Sequence, residues 1–458
     1  MQKLPLKAIL NDLILLSMLI RFGCSNYKSI YGYQELLFTA SSLKDPQADL
    51  IKTSAIPEAI LPSIAIYGAN ASGKTNMIEA LKFFVEFIRN SYKKAETSGI
   101  NRPVFKLNAD AKDETSEFDM DFVLGKTHYH YGFKINDKAV MEEWLFSYSY
   151  ENRKSRKVLF HRNRLEENEY KFSKFLKGEN RVIARLTRTN SLFLSTAAQN
   201  NHEFLSGIHD YFFMAFSFRF DQVLSPQAIA NNLKNIGAID QVNQFLKNSG
   251  AGIDSIKLKV KMPEETDRIF REKAKFVLKE VFADILGKNT AMIEEFDDSV
   301  LDDCLELSHK DQNGNLVLFE LEEESLGTKA MIALLTPAFK ALNQGGIFIV
   351  DEIESSLHAL LTLQIIKLFN HKETNPNGAQ LLFTTHETHI LCSNLLRRDQ
   401  IWFSEKNLNG ETVIAPLTDY QLRSTDNIQK GYLEGRFGAI PFLGDIQQLF
   451  QREKTVNG

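Results

Sequence analysis

A chain of 458 residues with a formal net charge of −4 is long enough for two or three compact units and a large core. Its moderate apolar content, 43%, is that of an ordinary soluble globular protein, and its mild acidity argues against wholesale coating of nucleic acid, although a local basic patch could still bind it. The three cysteines, Cys24, Cys304 and Cys392, are far apart and odd in number, so neither a metal spacing nor a disulfide framework follows, and a reducing cytoplasm is the expected compartment.

Residues 1–20, MQKLPLKAILNDLILLSMLI, carry two lysines and an apolar run that Asn11 and Asp12 interrupt, and the uninterrupted part is too short to span a bilayer. Phe22-Gly23-Cys24 is similar to a lipoprotein cleavage site, but Arg21 stands where a small or aliphatic residue is wanted, so export is not expected. Residues 1–17 read as an extension, helical or upstream of the true start, with Met18 opening the domain. From there MLIRFGCSNYKSIYGYQELLF alternates apolar and polar residues in two runs, the pattern of paired strands. A polar linker follows around Ser41–Ala55.

Ile64–Asn76, IAIYGANASGKTN, is a short apolar run feeding Gly68-x-x-x-x-Gly73-Lys74-Thr75, with helix-forming residues after it. Strand, glycine-rich loop and helix in that order predict a P-loop. Its glycines let backbone N–H groups turn inward around a triphosphate, and the helix N-terminus adds a positive end. The expected nucleotide-binding set is Gly68, Asn70, Ala71, Ser72, Gly73, Lys74, Thr75 and Asn76. Lys74 would reach the outer phosphates and the Thr75 hydroxyl would take one position on Mg²⁺.

After a helix over about 76–93, four runs (FDMDFVL, THYHYGFKI, VMEEWLFSYSY and KVLFHR) separated by polar turns predict an antiparallel sheet within 104–190. The segment 151–190 holds twelve Lys and Arg against five Glu. It reads either as a docking surface for DNA or an acidic phage protein, or as a solvated hairpin surface, which the interleaved glutamates favour. Residues 196–295 read as helical, with amphipathic spacing in AIANNLKNIGAIDQVNQFLKNSG and ETDRIFREKAKFVLKEVFADIL. The acidic run 294–306 reads as a solvated loop and strand edge rather than a metal site.

The second half of the site lies near the C-terminus. Ile347–Val350 predicts a buried strand ending in Asp351 and Glu352; beside the P-loop strand, Asp351 would hold Mg²⁺ and Glu352 would act as general base on water. Before it, Glu324-Ser325-Leu326-Gly327-Thr328-Lys329 opens a helix in which Pro337 predicts a kink. After it come Ser355-Ser356-Leu357-His358 and a second apolar strand, Gln380 to His386. Taken singly, a serine and glycine before a helix are a cap, and a histidine after a strand is a polar strand end.

In that order the motifs resemble an ABC-type ATPase head. RFGCSNYKSI is similar to the F-x-x-N-F-x-S-I opening of heads in the SMC, RecF and OLD group, which implies that Lys28 and Ser29 line the nucleotide. EESLGTKAMIALL, DEIESSLH, the TTH strand and KGYLEGRFGAIPFL resemble bacterial AAA-type ATPases of the OLD-related class, including those of PARIS-type anti-phage systems; the resemblance covers residues 18–445. It implies two heads sandwiching two nucleotides, with Ser325 and Gly327 of one meeting the γ-phosphate held by the P-loop of the other, and His386 as the switch histidine. A homodimer or higher homo-oligomer is therefore implied, with ATP and Mg²⁺ as cofactors and Lys74, Ser325, Gly327, Glu352 and His386 as catalytic residues. Many members serve in abortive-infection systems beside a separate nuclease or toxin, so a Toprim-like nuclease or toxin is the implied effector. Three features depart from the group. The residues after His386 hold no Toprim carboxylate set, so DNA cleavage is not expected; the long SMC coiled coil is missing; and S-L-G-T-K replaces the transporter signature L-S-G-G-Q, with no transmembrane helix. No Q-loop glutamine is identifiable.

The expected fold is therefore α/β: an ABC-type P-loop ATPase head with an antiparallel β lobe, a mostly parallel core sheet and an inserted helical region. Its expected parts are an extension (1–17), an N-terminal half of the head (18–195), a helical insertion (196–295) and a C-terminal half (296–458). The expected function is a cytoplasmic, nucleotide-gated sensor or scaffold in anti-phage defence, without a membrane partner. The alternative is a RecF-like clamp closing on DNA, with Arg153, Lys154, Arg156 and Lys157 as contacts.

Overall fold

A computed structural model describes residues 17–93, 95–150, 154–220, 229–230, 232–234, 237–261, 302–355, 357–423 and 426–439. The expected extension up to residue 16, the amphipathic run 265–286, residues 294–301 of the acidic run, Arg153, Ser356 and the end of KGYLEGRFGAIPFL lie outside the described residues. The chain forms two units: Met1–Asp221 with Ala341–Gly458, and Gln222–Lys340.

The strands of the first unit begin with β1 (Ser17–Ser25), β2 (Gln34–Leu37), β3 (Ser63–Tyr67), β4 (Ser116–Leu124), β5 (Thr127–Ile135), β6 (Val140–Ser149), β7 (Ser155–Asn163), β8 (Tyr170–Phe172) and β9 (Phe216–Arg219). Seven of them make one antiparallel sheet in the order β2-β1-β4-β5-β6-β7-β8, so the two opening runs do pair, and they join the predicted hairpins. The period of two decides what each face carries. Phe118, Met120 and Phe122 of β4 and Tyr131 and Phe133 of β5 are buried and pack towards the helix Lys74–Asn90 that follows the P-loop. Phe84 of that helix lies 5.2 Å from the Phe133 ring and 5.7 Å from Phe22. Asp119, Asp121, His128 and His130 take the alternate positions on the same strands.

The second unit contains β10 (Ile253–Lys261), β11 (Asp302–Lys310) and β12 (Leu316–Glu320), an antiparallel meander. The expectation of helix over 196–295 is corrected at β9 and at β10: in β10, Ile256, Leu258 and Val260 alternate with lysines, a period that a strand satisfies and a helix does not. The helix Ile239–Asn248 buries Val242 and Leu246. The helix Leu326–Gln344 is assigned as one element with Pro337 inside it.

The core sheet of the first unit is completed by β13 (Ile347–Val350), β14 (Gln380–Thr385), β15 (Ile401–Lys406) and β16 (Thr412–Pro416). Its order is β16-β15-β3-β14-β13-β9, all parallel except the β15–β16 pair. β3, β13 and β14 are buried along their whole length, as strands covered on both faces must be, which is why they read as unbroken apolar runs. One expectation needs correction: β13 is not beside the P-loop strand, because β14 lies between them. The registers Tyr67↔Thr385 and Phe383↔Val350 still bring the ends of β3, β14 and β13 to one edge. That carboxyl edge is where open parallel sheets bind ligands. Among the described residues no helix is long and apolar enough to cross a membrane.

Candidate nucleotide site

The loop after β3 has the backbone that a phosphate cradle requires. Gly73 sits at φ 107° and Ala71 at φ 66°, left-handed conformations that turn successive N–H groups inward. Gly68 has no room for a Cβ, which would lie 2.4 Å from the Ser404 carbonyl oxygen. The helix that follows starts without a side-chain cap and without an acidic residue in its first turn, so its positive end is left for another anion. Ser72 Oγ is buried with no protein partner. Lys74 donates from Nζ to the carbonyls of Gly68 (2.7 Å) and Ala69 (3.1 Å), folding its cation back over the loop. Burial holds its ammonium below the usual lysine range, against the pull of Glu352, Asp351 and Glu354. An orphaned buried hydroxyl, an uncapped helix end and a lysine borrowed by carbonyls together fit a bound triphosphate.

The cation half of the site is assembled across β14. The Thr75 hydroxyl donates to both Asp351 oxygens, at 2.9 and 3.1 Å, although the two residues are 276 positions apart. Thr384, near the end of β14, donates to Asp351 Oδ1 at 2.6 Å and accepts the Glu352 N–H at 2.7 Å. Asp351 N–H is taken by the Arg219 carbonyl of β9 at 2.9 Å. Glu352 itself is left-handed, φ 48°, a costly backbone for a residue with a Cβ. Thr75 and Asp351 are thus the pair that could hold a divalent cation, and a carboxylate with a hydroxyl suits Mg²⁺.

Lys28 and Ser29 come to the same loop from the first strand pair. Ser29 Oγ is 2.7 Å from Thr412 Oγ1 and accepts from Asn76 Nδ2. Thr412 Oγ1 in turn donates to the Ser72 carbonyl at 2.9 Å, and Ser404 Oγ does so at 3.2 Å. Lys28, also left-handed at φ 49°, pairs with Glu79 of the P-loop helix. Asn70 is exposed at the loop tip. His386 follows β14, and its backbone N–H donates to Glu354 Oε1 at 2.8 Å.

Several of these groups escape sequence reasoning. Thr384, Ser404 and Thr412 are hydroxyls whose partners are far away in the chain. Glu354 had a local signal in the fourth residue of Asp-Glu-Ile-Glu. KGYLEGRFG packs beside the loop strand: Phe403 of β15 stacks on Tyr432 at 5.6 Å and Phe437 at 5.2 Å, and Tyr432 meets Tyr67 at 5.9 Å. A Cβ on Gly431 would come within 2.9 Å of the Phe437 ring, which accounts for the glycine.

Ser325 and Gly327 belong to the second unit, where Ser325 Oγ accepts the Thr328 N–H at 3.1 Å and so caps its helix. Ser325 and Leu326 are exposed. In the basic segment Lys154, Arg156, Lys157, Lys174, Arg181 and Arg185 are exposed and pair with no described carboxylate, whereas Arg162 is buried on Glu169. Lys157 and Lys174 both lie over the exposed Phe175 ring, at 5.2 and 5.5 Å.

A family model described as "AAA domain, putative AbiEii toxin, Type IV TA system" matches residues 63–392. No curated protein matches the chain. Among solved structures it is similar to an SMC head domain from Thermotoga maritima (11% identity, covering 88% of this chain and 99% of that one, TM-score 0.37). It is also similar to an Smc head domain with an extended coiled coil bound to the C-terminal domain of ScpA, from Pyrococcus furiosus (13%, 88% and 97%, TM-score 0.37). A third is the recombination mediator protein RecF in the RecFOR pathway (14%, 87% and 98%, TM-score 0.32).

Proposed function

The chain belongs to that AAA-domain family; from this premise we propose that it is an ABC-type P-loop ATPase head that binds and hydrolyses Mg-ATP as a nucleotide-gated switch in anti-phage defence. The observation that carries the reading is the Thr75 hydroxyl at 2.9 Å from Asp351 across an intervening strand. A threonine and an aspartate with no sequence relation meet at the spot where a P-loop needs its cation.

Thr75 and Asp351 would hold Mg²⁺, which when bound would supply charge neutralisation for the outer phosphates. Lys74 exchanges two neutral carbonyls for phosphate oxygens, a stronger set of charge-assisted bonds. Glu352 takes a proton from the attacking water, its backbone N–H anchored on Thr384 so that base and cation ligand are set by one hydroxyl. His386 meets the γ-phosphate. Ser325 and Gly327, on an exposed helix start, reach the nucleotide of a second copy, so each site is complete only in a homodimer. The dimer, formed in the cytoplasm, holds or releases a separate effector, a Toprim-like nuclease or toxin in the manner of PARIS-type systems. The experiment is light scattering of the Glu352→Gln protein with and without Mg-ATP. ATP-dependent dimerisation that a Ser325→Arg change abolishes is the expected result; a mass indifferent to ATP overturns the sandwich.

The exposed cations of 154–185 that pair with no described carboxylate favour a second reading, a RecF-like clamp that closes on duplex DNA with ATP. It requires ATP-dependent DNA binding that weakens steeply with salt and with neutralisation of Lys154, Arg156 and Lys157. DNA binding that is absent at low salt removes it.

A further inference from the structure

The switch histidine is built on a carboxylate. Glu354 Oε1 accepts the His386 backbone N–H at 2.8 Å and lies 3.0 Å from His386 Nδ1, so one oxygen fixes both ends of the residue. A carboxylate oxygen only accepts, so Nδ1 carries the hydrogen and Nε2 is left with no described protein partner. The Glu354 side chain is 11% exposed and the His386 side chain 56% exposed, an anchored root under an open ring.

We propose that Glu354 is the positioning residue of His386, holding the Nδ1–H on its carboxylate and so turning the Nε2 edge of the ring to the nucleotide. The inference rests on the ATPase reading above. Stability alone gives no reason for the arrangement. A half-exposed histidine gains little from an ion pair, while Glu354 Oε2 is buried with no partner, an unfavourable place for a charged oxygen. The carboxylate is held there regardless. Its turn is tied to β14 by the Ile353 N–H on the Thr384 carbonyl at 3.1 Å and closed by Ser355 N–H on the Glu352 carbonyl at 2.7 Å. Its charge is also felt at Tyr67 on the P-loop strand, whose phenol burial and then Glu354 hold well above the usual range. Glu352 and Glu354 thus share one short turn, the first aimed at chemistry and the second at the orientation of the histidine, as the carboxylate of a catalytic triad orients its imidazole.

The test uses the full chain. In ¹⁵N-histidine-labelled wild type, with the His386 signals assigned by their loss in His386→Ala, the Nδ1 nitrogen should report a bound hydrogen. Glu354→Ala should abolish that preference and lower kcat by roughly 10- to 100-fold with little change in KM. The loss should not add to that of His386→Ala, since the two act as one unit. Glu354→Gln, which still offers an oxygen to Nδ1, should recover most of the rate and guards against misfolding of the alanine variant. A wild-type ring whose Nδ1 carries no hydrogen, or losses that multiply in the double variant, overturns the proposal. A wild type without ATPase activity overturns the ATPase reading instead, and the tautomer measurement still decides the role of Glu354.

Discussion

Two polar clusters in the first unit contain almost the same side-chain types and behave in opposite ways. On the antiparallel sheet, Arg21 bridges Glu35, Asp119 and Asp121, with Nε 2.7 Å from Asp121 Oδ2. His128 Nε2 is 2.7 Å from Asp121 Oδ1, His130 Nδ1 is 3.1 Å from Oδ2, and the Tyr33 hydroxyl donates to Asp119 at 2.7 Å. Asp119, Asp121 and His130 are close enough to hold a metal ion, but Arg21 already supplies the positive charge. At the carboxyl edge of the parallel sheet the bookkeeping does not close: Ser72 Oγ and Glu354 Oε2 are orphans, the P-loop helix is uncapped and Glu352 is left-handed. A satisfied cluster specifies structure, whereas an unsatisfied one is waiting for something. The lesson is that residue type does not identify a site; unmet valence does.

The comparison can be broken most sharply at Glu352. Glu352→Gln should lower ATP turnover by about 10²–10⁴-fold while leaving nucleotide binding and unfolding midpoint near wild type, measured by phosphate release and calorimetry. Asp121→Asn should do the reverse, destabilising the chain by about 3 kcal/mol in denaturant unfolding and leaving turnover per folded molecule unchanged. Burial alone would raise the Asp121 carboxyl, but hydrogen bonds from His128 and His130, then the charges of His130 and Arg21, hold it below the usual range. A depressed folded pKa stabilises above the unfolded value of about 3.9 and ceases to do so as pH falls through the folded one. Wild type should therefore lose stability as the solution is acidified below about pH 4, and Asp121→Asn should show a shallower acid limb.

Smaller effects sharpen the same contrast. Mg-ATP at about 100 times its dissociation constant should stabilise the chain by about 2.7 kcal/mol, read as a thermal shift, and chelation of Mg²⁺ should diminish it. Mg²⁺ without nucleotide should give no shift through the Arg21 cluster. Smallest of all, Ser72→Ala should change nucleotide-free stability by less than about 0.5 kcal/mol, because the hydroxyl it removes has no partner to lose. A large loss there would mean that Ser72 is structural.

What sequence reveals follows the same line. The P-loop, the apolar runs of β13 and β14 and the alternation of β1 and β4–β6 are local patterns, and each appears where its period requires. Strand order is not local. That β14 separates β3 from β13 is set by how the crossovers pack, and no residue in Ile347–Val350 encodes its neighbour. The same limit hid Thr384, whose hydroxyl ties together a carboxylate and a backbone N–H more than thirty positions away. It hid Arg21 too, which in the sequence stands only as a misfit in a cleavage pattern but is 98 and 100 positions from Asp119 and Asp121. β10 is legible in its own period of two, although amphipathic spacing on either side draws the reading towards helix.

Mg²⁺-dependent ATP turnover by Asp351→Asn, set beside wild type, tests the convergence of Thr75 and Asp351 most directly. Wild type should hydrolyse ATP only with Mg²⁺, and the variant should still bind nucleotide in its absence but gain no turnover when the cation is added. Equal Mg²⁺-stimulated turnover in both proteins would contradict the site.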